Sequence, residues 1–160
     1  MTIDKAWHLA NKMPKNFALD QMVTTITKLI KPNPLFFAFF FPALTDAVVT
    51  LIGQGKNYLQ NPATATDASP AYYFLVASPW LFISGSVIWF IFWYWLIKKL
   101  KEPLNLFFMF FFISAHSWGS SSWIIKMLGK SSYILLIIYF SLISLIATFC
   151  FKIYERNKHD

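Results

Sequence analysis

Cysteine occurs once, at position 150, so the chain can close no internal disulfide and offers no Cys-x-x-Cys redox or zinc pair. His8, His159 and Cys150 fall toward the ends of the apolar segments and away from His116, whereas a metal centre needs three or four ligands converging on one point. No metal site is expected, and a haem held by His116 alone lacks a second ligand. Glycine-rich phosphate loops are missing, so neither a nucleotide nor any other cofactor is expected. Asn61 is followed by Pro62 and is no glycosylation acceptor. The first thirty residues hold no uninterrupted apolar core ending in a small-residue cleavage site, so targeting is expected to rest on the first apolar segment itself. Charge is scarce too. Only 13% of residues are Asp, Glu, Lys or Arg, against 57% hydrophobic, which is too apolar for a soluble domain of 160 residues.

What the chain has instead is long apolar runs. Leu35 to Gly53, LFFAFFFPALTDAVVTLIG, rises about 28 Å as a helix and matches a hydrocarbon core of about 30 Å. Three more runs follow, so the spacing predicts spans over 35–53, 72–97, 104–124 and 132–151 within a transmembrane domain of residues 34–151. Ahead of them, residues 1–33 carry a helical apolar stripe of Leu19, Met22, Val23, Ile26 and Ile30. Asn16 is a candidate cap. This segment is expected to lie in the headgroup region, or else to pack on a partner subunit, and Trp7, Met13 and Phe17 suit either. Pro32 and Pro34 end it. Residues 54–70 read as a polar loop with one turn near Tyr58, and residues 152–160 as a charged, exposed tail. The second span is longer than a crossing needs, which implies tilt, a kink at Pro79 or a first turn outside the hydrocarbon, and Trp89, Trp93, Tyr94 and Trp95 before Lys98 and Lys99 read as an interfacial aromatic belt.

The fold class is therefore all-α: a polytopic membrane protein with four transmembrane helices in an antiparallel bundle, preceded by a short amphipathic interfacial helix. Eleven Lys and Arg residues fall on the side of the termini and three (Lys56, Lys126, Lys130) on the other, so both termini are expected in the cytoplasm, in a bacterial inner membrane or its equivalent. The formal charge of +7 sits at the ends of apolar runs, where it meets anionic headgroups at the cytoplasmic face, and nucleic acid is not an expected partner. The bilayer is the expected partner, together with further copies of the chain or a larger membrane complex.

One residue resists this scheme. Asp46 stands near the middle of the first span, where a carboxylate costs about 2.5–3.5 kcal/mol to insert and must face protein or water. Ala38, Pro42, Thr45, Val49, Thr50 and Gly53 share its face, while Phe36, Phe37, Phe40, Phe41, Leu44, Val48 and Leu51 are left for lipid. The first and third spans run the same way, and Asp46 lies eleven residues past Leu35, His116 twelve past Leu104, so the two share a depth. Ser84, Gly85 and Ser86 reach that layer from the second span, and Ser141 and Ser144 from the fourth, where with Thr148 they form a candidate packing stripe. A carboxylate and an imidazole there can share a proton, with Thr50, Ser84, Ser86, Ser117 and Ser120 as hydrogen-bond partners. The site then binds or conducts a proton, a cation or a small polar ligand. In the alternative the pair only locks the helices in register, and the chain is a structural or assembly subunit whose Phe-rich faces dock on partner helices. Asp46, His116 and Ser120 also contain the residue types of a hydrolytic triad, but the Gly-x-Ser-Gly flank is absent, no catalytic residue is assigned, and enzyme activity is not expected.

Overall fold

The computed structural model describes residues 17–159, with the side chains of 17–19 left aside. The candidate cap Asn16, together with Trp7, His8 and Met13, lies outside the described residues. The described chain is helical, without a strand. Helix α1 spans Phe17–Ile30, α2 Pro34–Gly53, α3 Tyr72–Ala77, α4 Pro79–Lys99, α5 Leu104–Leu128 and α6 Ser132–Asn157. Three helical stretches are long and apolar enough to cross a membrane: Pro34–Gly53, Pro79–Lys99 and Leu104–Asn157.

The third stretch is α5 and α6 joined by a tight 3-10 turn over Gly129–Ser131. Gly129 has φ +57, a conformation that side-chain-bearing residues rarely adopt, and the chain reverses there. As one straight helix its 54 residues would extend about 80 Å. Yet Asn105 Nδ2 near the start of α5 donates to Tyr154 Oη near the end of α6 at 3.0 Å, so the two helices fold back on each other. Tyr154 in turn donates to Glu102 at 2.6 Å, and Lys158 pairs with the same carboxylate. Hydrogen bonds from Lys158 and then Tyr154 hold the Glu102 carboxyl below the usual range, and the same contact pushes the Lys158 ammonium up.

The chain divides into two compact units between Pro32 and Asn33. In the first, α1 has the expected amphipathic pattern, and Met22, Val23, Ile26 and Leu29 are exposed. In the second, α2 is central. Within its apolar window 39% of residues are buried, against 11% for α4, because α2 packs against α5, α6 and α4. Helices this apolar have little polarity to sort their faces, so shape and ring geometry decide which faces meet. Phe36 sits edge-on to Tyr94 at 5.2 Å, Phe40 to Phe90 at 5.0 Å and Phe39 to Trp89 at 6.2 Å, each such pair worth about 0.5–1.5 kcal/mol beyond its area. Phe36, expected on the lipid side, is therefore buried along with Phe39; Phe41, Leu44 and Val48 do face outward.

Four further expectations change. The second span is not one helix over 72–97: Ser78 is extended (φ −173, ψ 141) between α3 and α4. Pro79 disfavours helical geometry at the residue before it, and the Ser78 hydroxyl accepts from Trp80 N at 3.2 Å to start α4. The third helix extends past 124 to Leu128, and the fourth past 151 to Asn157, so the charged tail is largely helical and Ile153 is buried in it. On α6 Ser141, Ser144 and Thr148 are exposed; the inward face is Ser132, Leu136, Ile143, Cys150 and Ile153. The expected stripe had the right depth and the wrong face.

The connector 54–70 is ordered. Tyr58 is buried, its hydroxyl donates to Leu75 O at 3.0 Å, and burial pushes that hydroxyl's pKa up. Gln54 brackets Thr66, donating to its carbonyl at 3.2 Å and accepting from its N–H at 2.9 Å. With Ala65, Leu75 and Phe82 around Tyr58, the connector is pinned onto the helices as a roof.

Candidate functional site

The site grows from the contact between α2 and α5, the most extensive helix–helix contact among the described residues. Pro42, inside α2, lacks the N–H that would bond four residues back, and its carbonyl lies 3.4 Å from the Ser120 hydroxyl on α5. Ser120 is fully buried and donates more closely to the His116 carbonyl, at 2.8 Å. One helical turn along from this seam, His116 Nδ1 and Asp46 Oδ2 meet at 2.9 Å, with a quarter and a fifth of their side chains exposed. A carboxylate at Nδ1 favours the tautomer with its proton on Nδ1 and leaves Nε2 as an acceptor. The hydroxyl of Ser120 does not approach the imidazole, so the three residue types of a hydrolytic triad are present without its connectivity.

What lets the pair form is a residue absent from the expected set. A Cβ added at Gly119 would stand 2.5 Å from Asp46 Oδ1 and 2.7 Å from Oδ2. Gly119 is therefore the floor on which the carboxylate rests. The imidazole is walled by Trp89, 5.2 Å away and edge-on, and by Phe112 at 6.1 Å. Trp89 and Trp93 of the expected interfacial belt thus turn inward onto Phe112, at 5.2 and 4.4 Å, and Trp95 points outward.

These rings close the gap between α4 and α5 on the side nearer Lys98. Next to His116 lies a cavity of about 1010 Å³ lined by α2, α4, α5, Phe74 of α3 and the connector. Asp46, Thr50, Ser86, Trp89, His116 and Gly119 line its floor and walls, and Thr66 to Ala71 its roof. At the mouth Lys126 Nζ donates to Thr66 Oγ1 at 3.1 Å and lies 4.1 Å from the centre of the Trp123 ring.

Of the seven expected site residues, Asp46, His116, Thr50 and Ser86 line this cavity. Three do not. Ser84 is exposed on the far side of α4, donating to Leu81 O at 3.1 Å, because two residues along a helix turn a side chain by about 200°. Ser120 is spent on the α2–α5 seam. Ser117 is buried toward α6, where its hydroxyl and that of Tyr139 close no hydrogen bond although Tyr139 lies beside both Ser117 and Ser120 and within electrostatic reach of Asp46. Gly119, Trp89 and Tyr139 were missed. Gly119 carries the one readable signal, standing three residues after His116 and so on the same face.

No protein-family model, curated protein or solved structure matches the chain. The residues themselves must carry the functional argument.

Proposed function

We propose that this is a small integral membrane protein that crosses the bilayer four times, with α2, α4, α5 and α6 as a bundle spanning residues 34–151 and both termini in the cytoplasm. The Asp46–His116 pair is its working site, binding or conducting a proton, a cation or a small polar ligand. The observation that carries this reading is the 2.9 Å contact on the wall of a large cavity, since a pair serving only as glue has no need of access. The lysine distribution supports the orientation, and the exposed apolar face of α1 supports an interfacial anchor on anionic headgroups, in a bacterial inner membrane or its equivalent.

Trp89 supplies a built-in reporter, because a protonated imidazole quenches a neighbouring indole. Intrinsic fluorescence of the purified protein is expected to rise when His116 gives up its proton as pH is raised. The transition should vanish in both His116→Ala and Trp89→Phe, and Asp46→Asn should change its midpoint. Fluorescence independent of pH, or an unchanged transition in His116→Ala, would favour the structural-subunit reading instead.

A further inference from the structure

The cavity is far larger than a proton or a metal ion requires. Its volume of about 1010 Å³ is at the upper end of the roughly 300–1,000 Å³ that holds a drug-sized organic molecule. Its walls are apolar and largely aromatic, with Phe82, Trp89, Phe90, Phe111 and Trp123 presenting rings. The two helices that line it also carry exposed apolar side chains, Ile83 and Val87 on α4 and Phe110 and Trp118 on α5, and Trp118 itself lines the cavity.

Charge narrows the occupant. The charged and titratable groups facing the pair are Asp67 from the connector, Lys126 from α5 and Tyr139 from α6; α4 lines the cavity with none. Lys126 is ten residues beyond His116, about 15 Å along α5, and its ammonium is engaged by Thr66 and Trp123. Asp67 lines the same cavity and contributes a charge of opposite sign. At the floor the only formal charge, when His116 is neutral, is the Asp46 carboxylate. An anion is repelled there. A bare metal cation finds one carboxylate, already pressed on by Gly119, where it needs several oxygen ligands. An organic cation finds a carboxylate and aromatic faces together.

We infer that the cavity binds a bulky lipophilic cation, admitted sideways between α4 and α5, in exchange for the proton on His116. The inference rests on the proposed role of the pair. In the protonated state the imidazolium neutralises Asp46. When the cation enters, it takes over the carboxylate and the proton leaves for water, so that one positive charge replaces another. The two occupants compete for one counter-charge, and binding is therefore tied to pH.

The test uses full-length protein in nanodiscs of zwitterionic lipid, with tetraphenylphosphonium as probe and triphenylphosphine oxide as its neutral counterpart. Expected are saturable binding of the cation alone and release of a proton on binding. Because one proton competes with one cation, the apparent Kd should weaken on acidification by up to about tenfold per pH unit. Asp46→Asn should weaken binding at least tenfold, by the loss of its charge. Gly85→Leu, which adds bulk at a residue lining the cavity beside Phe74, should abolish binding and keep the pH response of Trp89; it carries the test if Asp46→Asn does not fold. Binding that is independent of pH, equal in Asp46→Asn, or equal for the neutral probe would overturn the inference, the last marking a site for uncharged lipid. No binding with an intact Trp89 response would overturn it and leave the proton site standing. Loss of both would remove the pair's proposed role as well.

Discussion

Gly119→Ala is expected to destabilise the protein and to displace Asp46 from His116. An exposed helical glycine normally gains about 1 kcal/mol on replacement by alanine, through propensity alone. Here the added methyl would stand 2.5 Å from a carboxylate oxygen that is itself held by the imidazole, and overpacking of that kind costs about 1–3 kcal/mol or more. Crowding should therefore win, and Gly119→Val should be worse. Gly85 provides the internal control. A Cβ there would meet only Phe74, at an ordinary 3.5 Å, so Gly85→Ala should be neutral or stabilising by up to about 1 kcal/mol. Thermal unfolding of the four proteins in one detergent gives the comparison. Equal behaviour of the two alanine variants would mean that Asp46 does not rest on Gly119.

The second large effect concerns the pair itself. Removing one partner of a fully buried ion pair costs about 3–5 kcal/mol because the remaining charge is stranded. Asp46 and His116 each keep roughly a fifth to a quarter of their side chains open to the cavity, so His116→Ala should cost less, about 1–3 kcal/mol. Its signature lies in the rescue. Adding Asp46→Asn to His116→Ala replaces a stranded carboxylate by a neutral amide, and the double variant should be more stable than His116→Ala alone. The double-mutant cycle should show a coupling of about 1–2 kcal/mol, measured by denaturant unfolding in detergent. Strict additivity would mean that the two side chains act independently.

Some of this site could be read from the sequence, for a simple reason. Depth in a membrane helix is a count of residues from a known end, and two helices running the same way convert equal counts into equal levels; Asp46 and His116 were placed that way. Facing is harder. Ser84 and Ser86 share a level but not a side, and Ser141 and Ser144 have the right depth on the outer face of α6. Among helices this apolar, polarity does not choose the inward face, and Leu136, Ile143 and Cys150 were as good a seam as serines. Trp89 was hidden by an aromatic cluster that explained itself as a membrane-surface belt. Gly119 was one small residue in a run of small residues, and only the approach of Asp46 separates it from packing. The roof was hidden most completely: Tyr58 and Gln54 sit in a polar, proline-containing stretch whose composition says loop, while their hydrogen bonds close on Leu75 of α3 and on Thr66 within the connector, pairings that no periodicity announces.

Everything functional here depends on Asp46 holding the imidazole by Nδ1 and leaving Nε2 open to the cavity. Nitrogen NMR of His116 in the membrane-embedded protein, assigned against His116→Ala, reads this directly. The expected neutral form carries its proton on Nδ1, gains a second on Nε2 as pH falls, and loses its tautomer preference in Asp46→Asn. A neutral form protonated on Nε2, unchanged in Asp46→Asn, would contradict the account.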